Sequence, residues 1–110
     1  MHEHAAGTMV DRELEALKRE FLTEAKAKVE EIASMTSGPR DSESLDRLAY
    51  LAHQLKGSGG SYGYARISDD AADIERAVEL ITTGEDREAT LREKTESLRT
   101  AVDQAFAELR

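Results

Sequence analysis

With 110 residues, no cysteine, one proline and 5% aromatic side chains, the chain has the length of one compact domain and suits an aliphatic helical core better than a sheet. Its net charge of −8 and pI near 4.9 argue against general binding to nucleic acid or to an anionic membrane surface, both of which need basic patches. The missing cysteines remove disulfides, thiol nucleophiles and thiolate metal sites. No apolar run approaches the length of a membrane span, and no signal-peptide core is visible, so the expected compartment is the cytoplasm.

Residues 1–9 read as a flexible N-terminal leader, and residues 10–110 as one domain. His2 and His4 suggest metal binding only weakly, and two histidines on a mobile end are read as incidental. A first helix is predicted from about Val10 to Met35. Val10, Leu14, Leu17, Phe21, Ala25, Val29 and Ile32 recur at three- and four-residue steps, which makes one apolar stripe. Thr36-Ser37-Gly38-Pro39 ends it.

Asp41 or Ser42 can cap a second helix, with Glu43 in its first turn beside the positive end of the dipole. It should run to about Ser61 and close on Gly63 in the left-handed region. A third helix is predicted over 65–82, with Ile67, Ala71, Ile74, Val78 and Ile81 as its seam. Asp69, Asp70 and Asp73 near its start are expected to serve the helix dipole and solubility, with a cation site as the less favoured reading. Thr83-Gly84 ends it. A fourth helix should span 85–109, with Leu91, Leu98, Val102, Ala105 and Leu109 inward. Four amphipathic helices joined by short links predict an all-α, antiparallel up-down four-helix bundle. Four helices complete one core, so a monomer is expected. A compact size and an apparent native start favour a free-standing chain.

The second helix carries the most informative stretch, Ala52-His53-Gln54-Leu55-Lys56-Gly57-Ser58-Gly59-Gly60. At about 100° per residue, Leu45, Leu48, Leu51, Ala52 and Leu55 form one stripe, and His53 lies roughly 150° from its centre. His53 therefore points to solvent, with Ala49, Lys56, Gly57 and Gly60 on its face. Glycine inside a helix costs roughly 1 kcal/mol against alanine, so Gly57, Gly59 and Gly60 need a reason. For Gly63 a C-cap is reason enough. The glycines lack the Gly-Lys-Ser/Thr ending of a nucleotide loop and the strand before it.

His53-Gln54-Leu55-Lys56-Gly57, with Gly63 ten residues after the histidine, resembles the signature of histidine-containing phosphotransfer (HPt) domains. Downstream, Ile67, Ala71, Ile74 and Glu75 stand where that family tends to place a hydrophobic residue, a small residue and a hydrophobic-acidic pair. Ile67 and Ile74 replace its commoner leucines. The resemblance covers about Asp41 to Val78 at motif level.

The resemblance implies a phosphorelay carrier in two-component signalling: His53 phosphorylated at Nε2, with response-regulator receiver domains and a hybrid histidine kinase as partners. The Mg²⁺ would belong to the partner receiver, with no cofactor or metal site on this chain. Such a protein is a phosphodonor and acceptor, not an autonomous enzyme or kinase. The residues suit that chemistry. A neutral imidazole keeps an unprotonated nitrogen near pH 7 and can attack phosphorus without a separate base. Lys56, one turn on, can offset the charge of the phosphoryl oxygens. Ala49, Gly57 and Gly60 leave the surface low where a partner would dock. The alternative is a helical interaction module that docks receivers or other helices without being phosphorylated. A small enzyme using His53 as general base would need a concave pocket and an orienting acid, which a displayed helix face does not offer.

Overall fold

Asp41 begins α2 (Ser42–Ser61) by accepting the Ser44 backbone N–H at 2.8 Å, which satisfies one of the donors a helix start leaves free. In the computed structural model, backbone is described from His2 to Leu109 and side chains from Asp11 to Leu109. The other helices are α1 (His2–Thr36), α3 (Ala65–Thr82) and α4 (Glu88–Glu108). The four form the expected all-α bundle. Each packs on its sequence neighbour, and α4 closes the ring against α1. The side-chain pairs show the antiparallel sense. Between α1 and α4, Lys26 meets Asp103 and Glu30 meets Arg99, and in the link after α1 Arg40 meets Glu88, so one number rises as the other falls. Between α3 and α4, Arg66 meets Gln104, Asp70 meets Ser97 and Asp73 meets Lys94.

The core is aliphatic, as the composition requires. Leu48, Leu51 and Leu55 of α2, Ile67 and Ile74 of α3, Leu91 and Leu98 of α4, and Leu22 and Ile32 of α1 are all buried. Each such side chain contributes about 1.5–3 kcal/mol relative to exposure. Gly63, at φ 82°, closes α2, and Gly84, at φ 98°, takes the turn after α3. Both positions favour a residue without a Cβ.

Four expectations need correction. The helical backbone of α1 begins at His2, not near Val10, so residues 2–9 are an extension of α1. Gly7 is the one poor helix former there, and Ala5 and Ala6 are the best, so nothing stops an established helix from propagating. The side chains of His2, His4 and Val10, with the readings that fell on them, lie outside the described residues. Leu14 and Leu17, expected in the core, are 43% and 48% exposed. α1 has 35 residues against 20 in α2, and overhangs the bundle. The bundle ends where Phe21 stacks on Tyr62 and Tyr64, at centroid distances of 5.1 and 6.0 Å. Third, α4 starts at Glu88, three residues later than expected, because Asp86 accepts the Glu88 N–H after the Gly84 turn. Last, Asp70 faces inward and accepts a hydrogen bond from Ser97 at 2.7 Å, linking α3 to α4. Asp73 pairs with Lys94, and no metal-binding cluster forms among the described residues.

The α2–α3 contact is the most extensive in the bundle. Gly59 explains it. A Cβ built there would stand 3.2 Å from the Ser68 backbone nitrogen and 3.1 Å from Ile67 Cγ2. At Gly60 the same atom would meet only Ser68 Oγ at 3.5 Å, an ordinary contact, and the helix continues through it with no positive φ. Gly60→Ala should therefore raise stability by up to about 1 kcal/mol on helix propensity. Gly59→Ala should melt below wild type, because the backbone of α3 would have to retreat. Thermal melts of the two variants check this. A Gly59→Ala protein as stable as Gly60→Ala would show that close approach is not what glycine supplies there.

Candidate functional site

The face of α2 that turns from the core carries His53, and α3 runs antiparallel beside it. α3 buries Ile67, Ala71, Ile74 and Val78, which places Glu75, the residue after Ile74, at the α2 flank. There its carboxylate meets both sequence-predicted site residues. Glu75 Oε2 is 2.9 Å from His53 Nδ1, and Glu75 Oε1 accepts a hydrogen bond from Lys56 Nζ at 3.0 Å. The His53 side chain is 69% exposed, that of Lys56 43% and that of Glu75 only 20%. A displayed imidazole thus rests on a half-buried acid.

Burial alone would raise the pKa of Glu75, but the Lys56 and His53 hydrogen bonds and their charges outweigh it. The carboxyl is held below the usual carboxylate range and is ionised at neutral pH. An ionised carboxylate only accepts hydrogen bonds, so His53 Nδ1 must donate. That fixes the tautomer. In the neutral ring Nδ1 carries the hydrogen and Nε2 keeps the lone pair, on an exposed ring.

The remaining residues of the predicted face lie along the same helix. Beyond the adjoining backbone of its own helix, Gly57 has nothing within 4 Å of where a Cβ would stand, and Gly60 is exposed. Ala49 is partly buried and lines a mainly apolar groove of about 410 Å³ between α2 and α3, with Leu45, Val78 and Leu80. Asp46, Arg76 and Glu79 also line the groove, the last two paired with each other. The structure therefore brings His53 and Lys56 onto one carboxylate and sets Ala49, Gly57 and Gly60 along the surface beside them. Lys56 is further held through its backbone, since its carbonyl accepts from Ser68 Oγ at 2.8 Å.

Glu75 is the residue that helix-by-helix reading left without a role. It was legible as an acid next to a seam isoleucine, and the signal that it belongs to the site is that it flanks the seam facing the helix with the histidine. Comparison with curated proteins and with solved structures found no match. A family model, described as the Hpt domain, matches residues 16–110. That span takes in α2, α3, α4 and every residue of the site, and the chain belongs to the Hpt domain family.

Proposed function

We propose that this domain carries a phosphoryl group on Nε2 of His53 and exchanges it with aspartates of receiver domains. Membership in the Hpt family supports the coarse statement, since Hpt domains are phosphocarriers of two-component phosphorelays. The observation that carries the finer one is the His53–Glu75 hydrogen bond, which leaves the lone pair on the outward nitrogen of an exposed ring. Phosphoryl transfer needs an aligned nucleophile and compensation of spread negative charge. His53 supplies the first. Lys56, within a turn of it and half-exposed, supplies part of the second by turning from Glu75 to the phosphoryl oxygens. The Mg²⁺ and the acceptor aspartate belong to the receiver.

The receiver is proposed to dock over Gly57 and Gly60 and along the groove at Ala49, where small side chains let its pocket close over the imidazole. A hybrid histidine kinase fits as the source, through its own receiver. Among the described residues no helix is long and apolar enough to cross a membrane. The test is incubation with a phosphorylated receiver, followed by intact mass and site mapping. A mass increase of one phosphate on His53 supports the proposal, and a domain that stays unmodified while the receiver keeps its phosphate sinks it.

Lys56→Ala should slow transfer while leaving the fold intact, because its side chain is 43% exposed and lies off the apolar stripe of α2. Removing a charge-stabilising donor from an enclosed site costs about 3 kcal/mol. At this exposed position the loss should be smaller, roughly tenfold in rate. Transfer rates at subsaturating receiver check it, and an unchanged rate would remove Lys56 from the site.

A further inference from the structure

His53 has a neighbour on each side around α2. At about 100° per residue, Lys56 and Tyr50 stand roughly 60° to either side of it, each within one turn along the axis. A partner that reaches Nε2 therefore comes in between a cation and an aromatic ring. Three large apolar side chains are well exposed among the described residues, and Tyr50, at 53%, is the most exposed of them. The other two, Leu14 and Leu17, lie on the α1 overhang, so Tyr50 is the one beside the histidine. It is also held in place. Its hydroxyl oxygen accepts a hydrogen bond from Gln54 Nε2 at 2.7 Å, and the Arg47 guanidinium sits 5.6 Å from the ring centroid. Arg47 is in turn fixed by two hydrogen bonds to Glu31 of α1, at 2.7 and 3.0 Å. That ion pair by itself ties α1 to α2. Tyr50 and Gln54 both belong to α2 and add no link between helices, so their contacts serve the ring.

We infer that Tyr50 is a specificity-determining residue: it selects receivers that set an aliphatic side chain on its ring and a carbonyl or carboxylate oxygen at its hydroxyl. This rests on the carrier reading of His53 and deepens it, by naming what the partner must present. A tyrosine offers a large apolar area with a polar tip, and it carries binding energy out of proportion to its share of an interface. A free side chain loses rotamer freedom when a partner covers it. The Tyr50 ring is already restrained, so docking on it costs less. Its oxygen accepts from Gln54 and keeps its own hydrogen to donate, and no acceptor meets that hydrogen among the described residues. Arg47 covers part of the ring. A receiver with lysine or arginine at the contact would meet Arg47 and leave the hydroxyl without an acceptor, which disfavours it. Gly57 and Gly60 cannot discriminate in this way, because they have no side chain to satisfy.

The test uses the full chain as wild type, Tyr50→Ala and Tyr50→Phe. Each is labelled first with phosphoramidate, which needs no docking, and then from a panel of separately phosphorylated receiver domains that differ in charge beside the aspartate. Receiver concentration is varied, so that the half-saturating concentration and the limiting rate are read apart. Tyr50→Ala should raise the half-saturating concentration about tenfold for the receivers that wild type prefers, and little for the others, with the limiting rate kept. Tyr50→Phe keeps the ring and loses the hydroxyl, and should fall between the two. Phosphoramidate labelling should be equal in all three proteins. A half-saturating concentration that stays the same for every receiver would overturn the role of Tyr50 while leaving the carrier reading intact. A uniform loss across the panel would overturn selection, since the ring would then be contact area and nothing more. Slower phosphoramidate labelling of Tyr50→Ala would put the effect on the histidine or the fold, and would overturn it too. Phosphate that never enters wild-type His53 from either source would overturn the carrier reading and this one together.

Discussion

A His53→Gln variant should fold like wild type and accept no phosphate. The ring is 69% exposed, so its removal falls among surface substitutions, which stay within about 0.5 kcal/mol. The glutamine amide can still donate to Glu75, and Lys56 remains to satisfy the other carboxylate oxygen. What is lost is the nucleophile. Glutamine has no basic nitrogen, and no other histidine has a described side chain. The wild-type label should be acid-labile and alkali-stable, as a phosphoramidate is. Incubation with a phosphorylated receiver and intact mass measurement read the outcome. Full labelling of the glutamine variant, on any residue, would sink the assignment.

The largest effect on stability is expected from Ile74→Ala. Ile74 is fully buried on α3, immediately before Glu75. Truncation removes its transfer energy and leaves a cavity that close-packed neighbours fill only in part, a combined cost of about 2–5 kcal/mol. A domain of this size has roughly 5–15 kcal/mol in all, so the variant should lose a large share of its stability. Urea titration should show a lower midpoint with an unchanged slope. Leu17→Ala is the internal control. It is also a large-to-small change on the apolar stripe of a helix, but the side chain is 48% exposed and its loss should be nearly neutral. A loss at Ile74 no greater than that at Leu17 would mean that the core does not depend on this seam.

That contrast also shows what was readable in the chain. The boundaries of α2 and α3 were legible because local chemistry marks them: the Asp41 cap, Gly63 and the Thr83-Gly84 stop. Residues 2–9 carry no such mark, so the start of α1 was misplaced. Leu14 and Leu17 share the stripe of Phe21 and Ala25, but periodicity reports which face is apolar, not whether another helix reaches it. His53 was legible as displayed, since the angle between it and the leucine stripe is a property of one helix. Glu75 was not legible as its partner, and neither was Asp70 as the partner of Ser97. Those pairings depend on how far one helix is shifted along another, and no single-helix pattern contains that quantity. Gly59 was legible only as a costly helical glycine in need of a reason. Its contact with α3 appears only when both backbones are present.

The close approach at Gly59 bears on mechanical tolerance. Consecutive residues of a helix are about 1.5 Å apart along its axis, while a good hydrogen bond survives only a few tenths of an ångström of stretch. Sliding α3 along α2 by less than one residue would thus detach Glu75 from both His53 and Lys56. Smooth aliphatic seams resist such sliding poorly. Backbone seated against backbone, with Gly59 on Ile67 and Ser68, resists it as a dowel resists shear between two plates. The hydrogen bond from Ser68 to the Lys56 carbonyl adds a second fastening nearer the site. The acid and the imidazole lie on different helices, yet their alignment is set by a neighbouring contact that contains neither of them.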